Sequence, residues 1–167
     1  MFPSTLENLR ESLADWQAEK QAGHGLACVA DELMSMIQEK IISLELLHQL
    51  YTTHGLGLTL KHRNREAWCV LTEDASAPGR YRWTQFQRDG FTGHCTHDTP
   101  ELCLGDMMDD GYTVLDQGAL ERLCGTPEWQ RGSEITAIIQ ACNAGLMSWE
   151  EANRKAVEVK QRYQEAA

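Results

Sequence analysis

The segment "GHCTHDTPE", residues 93–101, carries two histidines, a cysteine and two acids, and Cys103 follows just beyond it. His94, Cys95, His97 and Cys103 are soft ligands that a strand end and a helix start would have to gather around a zinc ion. Structural zinc sites pair their ligands at short spacing on each side, whereas His94 and His97 fall on opposite faces of a regular strand. Strand parity puts Cys95 on the face of Phe91, toward a core, and His94 outward beside Thr92 and Thr96. A thiol nucleophile is the second chemistry to weigh, with Cys95 or Cys69 meeting His62, His94 or His97 across neighbouring strands. Such a thiolate needs a cationic or helix-N-terminal setting, and the acids from Asp89 to Glu121 do the reverse. The segment therefore reads as a strand running into a capped helix. No metal, cofactor or small-molecule substrate is expected, and a zinc- or thiol-dependent enzyme using residues 93–103 is kept as an alternative.

"LGDMMDDGY" offers Asp106, Asp109 and Asp110 to a cation, but it lacks the D-x-D-x-D-G register and the closing Glu of a calcium loop. It reads as a solvated helix end stopped by Gly111. The motifs G-x-G-x-x-G, G-x-x-x-x-G-K-[ST], G-x-S-x-G and H-E-x-x-H are missing, so the chain is expected not to be an enzyme.

Charge distribution is more informative. The 167 residues sum to −10, with −5 over residues 1–60, +3 over 61–88, −8 over 89–121 and balance over 122–167. In the basic stretch Lys61, Arg63, Arg65, Arg80 and Arg82 interleave with Trp68, Tyr81 and Trp83, a pattern that can track a phosphate backbone and stack bases. A nucleic-acid-binding module on residues 61–88 is therefore an alternative, opposed by the overall charge and by an alternation that turns the aromatics inward. The acidic stretch presents Asp98, Glu101, Asp106, Asp109, Asp110 and Asp116 without one base, and Glu32 and Glu39 add to it from a helix. Such a surface suits a protein partner with a basic face. The competing reading is that these charges only keep the chain dissolved.

These groups must be positioned by an α+β fold. Ser4 with Glu7 predicts a capping box, followed by an apolar stripe of Leu6, Leu9, Leu13 and Trp16 that stops near Gly23. A longer helix from Leu26 to about Thr53 turns Val29, Leu33, Met36, Ile37, Ile41, Leu44, Leu47 and Tyr51 inward. Joined by "GHG", the two helices form an antiparallel hairpin over residues 1–54, and the overhang of the second is free to meet a partner or, as a homodimer, a second copy. Residues 55–167 form the α+β part, in one compact unit with the hairpin. There the period changes to two, and "LGLTLK", "EAWCVLT", "RYRWTQFQR" and "FTGHCT" predict a four-stranded antiparallel sheet with a tight turn at Asp89–Gly90. Trp68 and Val70 are placed beside Tyr81 and Trp83 on the core face, with the basic side chains on the open face. "DTPE" and "GTPE" each put Thr at an N-cap (Thr99, Thr126) and Pro next (Pro100, Pro127), opening C-terminal helices. A box from Ser148 to Glu151 opens the last helix, and Trp149 joins Trp68, Trp83 and Trp129 as packing anchors.

The stretch from "GRYRWTQFQRDGFTGHCTHDTPELCLGDMMDDGYTVLDQGALERLCGTPEWQRG" through "GLMSWEEA", residues 79–152, resembles small accessory proteins carried by proteobacterial mobile elements and phages. The resemblance brings no catalytic residues. It implies a setting in which short, acidic, cofactor-free proteins bind and inhibit a host machine, as anti-CRISPR and antirestriction proteins do, by occlusion or subunit displacement. The six cysteines lack any C-x-x-C, the start lacks a signal-peptide pattern, and no apolar run approaches a membrane span. A cytoplasmic location is expected.

Overall fold

The computed structural model describes residues 3–23 and 27–165. Thr5 caps α1 (Leu6–Ala22): its hydroxyl accepts from the Asn8 N–H, and the Asn8 side chain accepts from the Thr5 N–H. The box thus lies one residue beyond the predicted Ser4–Glu7 pair, because the Ser4 N–H donates instead to Asp109 Oδ2. Gly23 ends the helix in the left-handed region, and the rest of the "GHG" connection and Leu26 lie outside the described residues. Helix α2 (Ala27–His54) spans about 42 Å at 1.5 Å per residue. It runs antiparallel to α1, as Arg10–Glu45 and Lys20–Asp31 ion pairs at its two ends require. Ile41, Leu44 and Leu47 are buried, but Val29 and Met36, assigned inward from the sequence, are 39% and 54% exposed, since the sheet lies under only the C-terminal half.

Five strands follow where four are predicted: β1 (Thr59–His62), β2 (Trp68–Glu73), β3 (Tyr81–Gln87), β4 (Gly90–His97) and β5 (Tyr112–Leu115). The sheet order is β4-β3-β2-β1-β5, antiparallel throughout. The unpredicted β5 adds itself to β1 after α3 (Pro100–Asp109). Its four residues, YTVL, show too little alternation to be recognised inside an acidic run. Between α3 and β5 the chain turns at Gly111, whose φ of +91° is left-handed and where a Cβ would lie 2.8 Å from the buried His62 ring.

Both sheet faces are covered. Cross-strand register aligns Trp83 with Leu71 and Cys69 with Gln85, and this face packs against α1, α2 and α3 through Leu44, Leu47, Leu104 and Met107. Trp68 pairs with Phe86 and Val70 with Thr84, on the opposite face, where α4 (Ala119–Cys124) and the start of α5 (Pro127–Asn143) add Ala119 and Trp129. Trp68 and Val70 therefore do not share a face with Trp83. Register, which local alternation cannot supply, decides the matter. The last helix, α6 (Trp149–Glu165), packs on α5, joined by the Tyr163 hydroxyl donating to Glu134. Trp149 is 64% exposed at the turn between them and anchors nothing on the sheet.

The described residues contain six helices, and none is long and apolar enough to cross a membrane.

Candidate functional site

Thr99 accepts from the Leu102 N–H and Pro100 opens the first turn, so the chain leaves β4 and at once enters α3. Cys103, Leu104, Met107 and Met108 are buried against the sheet, which leaves Asp106 at the margin of α3 facing β3 and β4. Its Oδ2 accepts from Trp83 Nε1 at 2.9 Å and from His97 Nε2 at 2.9 Å. Asp106 thus satisfies a buried indole N–H and ties helix to sheet. Beside it opens a shallow hollow of about 280 Å³ lined by Trp83, Gln85, Cys95, Asp106, Asp109 and Asp110.

Of the four soft ligands, Cys95 and His97 share the Trp83 face, since Trp83 pairs with Cys95 and Tyr81 with His97, while His94 pairs with Thr84 on the other. The predicted grouping of Cys95 with Phe91 fails because the register slips between Gln85 and Phe86, which sends Phe91 to the face of Phe86 and leaves Cys95 exposed at the strand edge. Burial, and then Asp106, raise the thiols of Cys95 and Cys103, the latter to about 12. Burial raises the Cys69 thiol as well. A thiolate is disfavoured at every one of these positions. Among the described residues no three His, Cys, Asp or Glu side chains are arranged to hold a metal ion.

Most of the acidic run is used inside the fold. Asp98 meets Arg80 at 2.9 Å, and Asp109 accepts from Lys40 at 2.7 Å and from the Ser4 N–H at 3.0 Å. Asp116 accepts from Trp68 Nε1 at 2.8 Å and Arg122 at 2.7 Å. Burial opposes its ionisation, but those hydrogen bonds prevail and hold its carboxyl below the usual range. The Asp110 carboxylate accepts from neutral Gln85 at 3.2 Å, and Glu101 is exposed.

The basic residues are similarly engaged. Arg82 donates to Asp74 at 2.7 Å, Arg80 to the Thr96 carbonyl at 3.3 Å, and Lys61 lies over the Trp68 ring. Arg65 Nε approaches His62 Nε2, and Arg63 borders a groove with Glu39 and Asp109. The basic side chains do not gather on one open face: Arg82 and Lys61 share the face whose Trp68–Phe86 end is covered by α4 and α5, and there Arg82 is held by Asp74 and Lys61 by the Trp68 ring.

Two features lie outside the motifs and charge blocks of the sequence. Glu7, Glu11 and Asp15 recur every four residues on α1, all exposed, and together with Glu32 and Glu39 of α2 they form no ion pair among the described residues. The acid spacing was the available signal. The other is "ITAIIQACN", Ile135–Asn143 of α5, nine residues without a charge beside the equally uncharged β4.

Comparison with protein-family models, with curated proteins and with solved structures finds no match for this chain.

Proposed function

We propose that this chain is a non-enzymatic binding protein whose acidic exterior engages a basic, nucleic-acid-handling protein complex and inhibits it by occluding its nucleic-acid site or displacing a subunit. The observation that carries this reading is the set of exposed carboxylates Glu7, Glu11, Asp15, Glu32 and Glu39 on the N-terminal helical pair, unpaired among the described residues. Along α1 the first three are stepped by about 6 Å, four residues at 1.5 Å each. A cleft built for a polyanion meets a row of the same sign there, at roughly half the linear density of one phosphate per about 3.4 Å of strand. Because these carboxylates hold no internal counter-ion, a partner's Lys and Arg side chains reach them without breaking the fold. Asp110, at the α3 hollow, and Glu101, exposed in the first turn of the same helix, extend the acidic exterior. The resemblance of residues 79–152 to accessory proteins of mobile elements belongs to the same proposal and names the class of target, a CRISPR effector or restriction complex.

Affinity capture from a bacterial lysate tests it, comparing the natural chain with a variant reversed at Glu7, Glu11, Asp15, Glu32 and Glu39 to Lys. The expected result is a nucleic-acid-handling complex retained by the natural chain, released by moderate salt and lost with the reversed variant. Capture indifferent to both charge reversal and salt removes the reading. Retardation of DNA or RNA by the isolated protein in gel shifts would transfer the function to the basic strands instead.

A further inference from the structure

Strand β4 is one border of the sheet, and at eight residues it is twice the length of β5 at the other border. The ladder fixes which of its backbone groups point out. The Asp74 N–H bonds the Arg80 carbonyl, and bonded pairs alternate along an antiparallel ladder, so Arg82 and Thr84 face β2 while Tyr81, Trp83 and Gln85 face β4. Their partners His97, Cys95 and Gly93 therefore bond inward, and His94 and Thr96 direct N–H and C=O away from the sheet. Arg80 takes the Thr96 carbonyl. Among the described residues nothing bonds the N–H or C=O of His94.

Borders of this length are ordinarily blunted by charge or proline, since they template pairing with another chain. Strand β4, "GFTGHCTH", has no Asp, Glu, Lys, Arg or Pro. Helix α5 touches the sheet at Trp129 and at Gly132, where a Cβ would collide with the Asp89 carbonyl, and then diverges. The divergence opens two adjoining grooves of about 450 and 480 Å³ that share Phe91, Thr92 and Thr136 as walls. Phe91 is 53% exposed. Charges return only at the ends, with Asp89, Arg131 and Lys160 at one and the Arg80–Asp98 pair at the other.

A chain of net −10 repels its own copy over most of its surface. In a two-fold contact the residues at the axis meet themselves, so an uncharged stretch is where two copies approach without like-charge repulsion. An antiparallel strand border is also self-complementary by construction. We infer that β4 joins two copies of this chain, pairing antiparallel with its symmetry mate about an axis near Gly93 and His94. The two five-stranded sheets become one of ten strands. Phe91 and Thr136 of both copies then close the grooves.

Sedimentation equilibrium of the full chain over a micromolar to hundred-micromolar range reads the association directly. The expected mass is twice 18.9 kDa. His94→Pro deletes the outward N–H and no bond to β3, and proline is tolerated where an edge N–H faces out. It is expected to sediment as a monomer with unchanged far-UV circular dichroism and melting temperature. Thr136→Glu places a carboxylate in the wall shared by both grooves of each copy and is expected to weaken association at least tenfold. A natural chain that stays monomeric overturns the inference, including one that accepts only a foreign extended strand at β4. A dimer unaffected by both substitutions does so too, because it would associate through another surface such as α2.

Discussion

Asp74 is 4% exposed and accepts four hydrogen bonds: from the Ser76 N–H and hydroxyl, Arg82 and, on its other oxygen, the Thr96 hydroxyl. The Ser76 hydroxyl and N–H above all, followed by Thr96 and Arg82, hold its carboxyl far below the ordinary range, with burial opposing them. A depressed folded pKa stabilises above the unfolded value of about 3.9 and loses that contribution as the pH falls toward the folded value. Asp74→Asn should lower the urea midpoint at neutral pH, and its deficit against the natural chain should shrink steadily below about pH 5. A deficit independent of pH would show that the ionised carboxylate is not the source. Thiol chemistry gives a second residue-level expectation. Cys124 is exposed, Cys95 is exposed but raised by burial and Asp106, and Cys69 and Cys103 are buried. Iodoacetamide at neutral pH should modify Cys124 before Cys95, and reach Cys69 and Cys103 only with unfolding, as peptide mass mapping would record. Little of this was legible in the sequence, because the partners are distant: Trp83 reaches Asp106 across 23 positions and Ser4 reaches Asp109 across 105.

At the level of elements, what is local in the chain was legible and what depends on register was not. The caps Thr99, Thr126 and Ser148 are written in adjacent residues and stand where the sequence puts them, whereas the hairpin turn falls one residue early, at Arg88–Asp89, with Gly90 already paired to Gln87 in β4 and Asp89 not at positive φ. The facing of Trp68, Val70, Phe91 and Cys95 depends on cross-strand pairing and on one slip between Gln85 and Phe86, which no run of alternating residues reveals. Two glycines mark where elements lock together. A Cβ on Gly105 would strike the Ser4 carbonyl, and one on Gly132 the Asp89 carbonyl, both backbone and unable to yield. Each Gly→Ala change should cost about 1–3 kcal/mol, the range of overpacking. Hydrogen exchange separates them. Gly132→Ala should lose protection in α5 and α6 alone, and Gly105→Ala in the first turn of α1 and in α3. Loss spread evenly over the whole chain in either variant would deny these locks a local role.

Across the whole molecule, the acids divide into those that hold the fold and those that do not. Asp106 and Asp116 receive the indole N–H groups of Trp83 and Trp68, so removing either acceptor strands a largely buried donor at a cost of about 1–3 kcal/mol. Lys at Glu7, Glu11 or Asp15 should shift stability by no more than about 0.5 kcal/mol, as for surface changes without partners. Thermal melts of the two groups check this division. If the α1 reversals unfold the protein, their loss of binding would say nothing about a partner. The net charge and its blocks could be counted from the sequence. Which acids remain available to a partner could not, because that depends on which bases the fold brings to them.

The turn between α5 and α6 bears Leu146 at 79% and Trp149 at 64% exposure, whereas Trp68, Trp83 and Trp129 are 6%, 2% and 7% exposed. Acrylamide in solution should extinguish the emission of Trp149 while sparing those three indoles. The protein therefore carries its own optical probe at that tip, and any molecule settling there would announce itself as a blue shift and a loss of quenching without a label being attached.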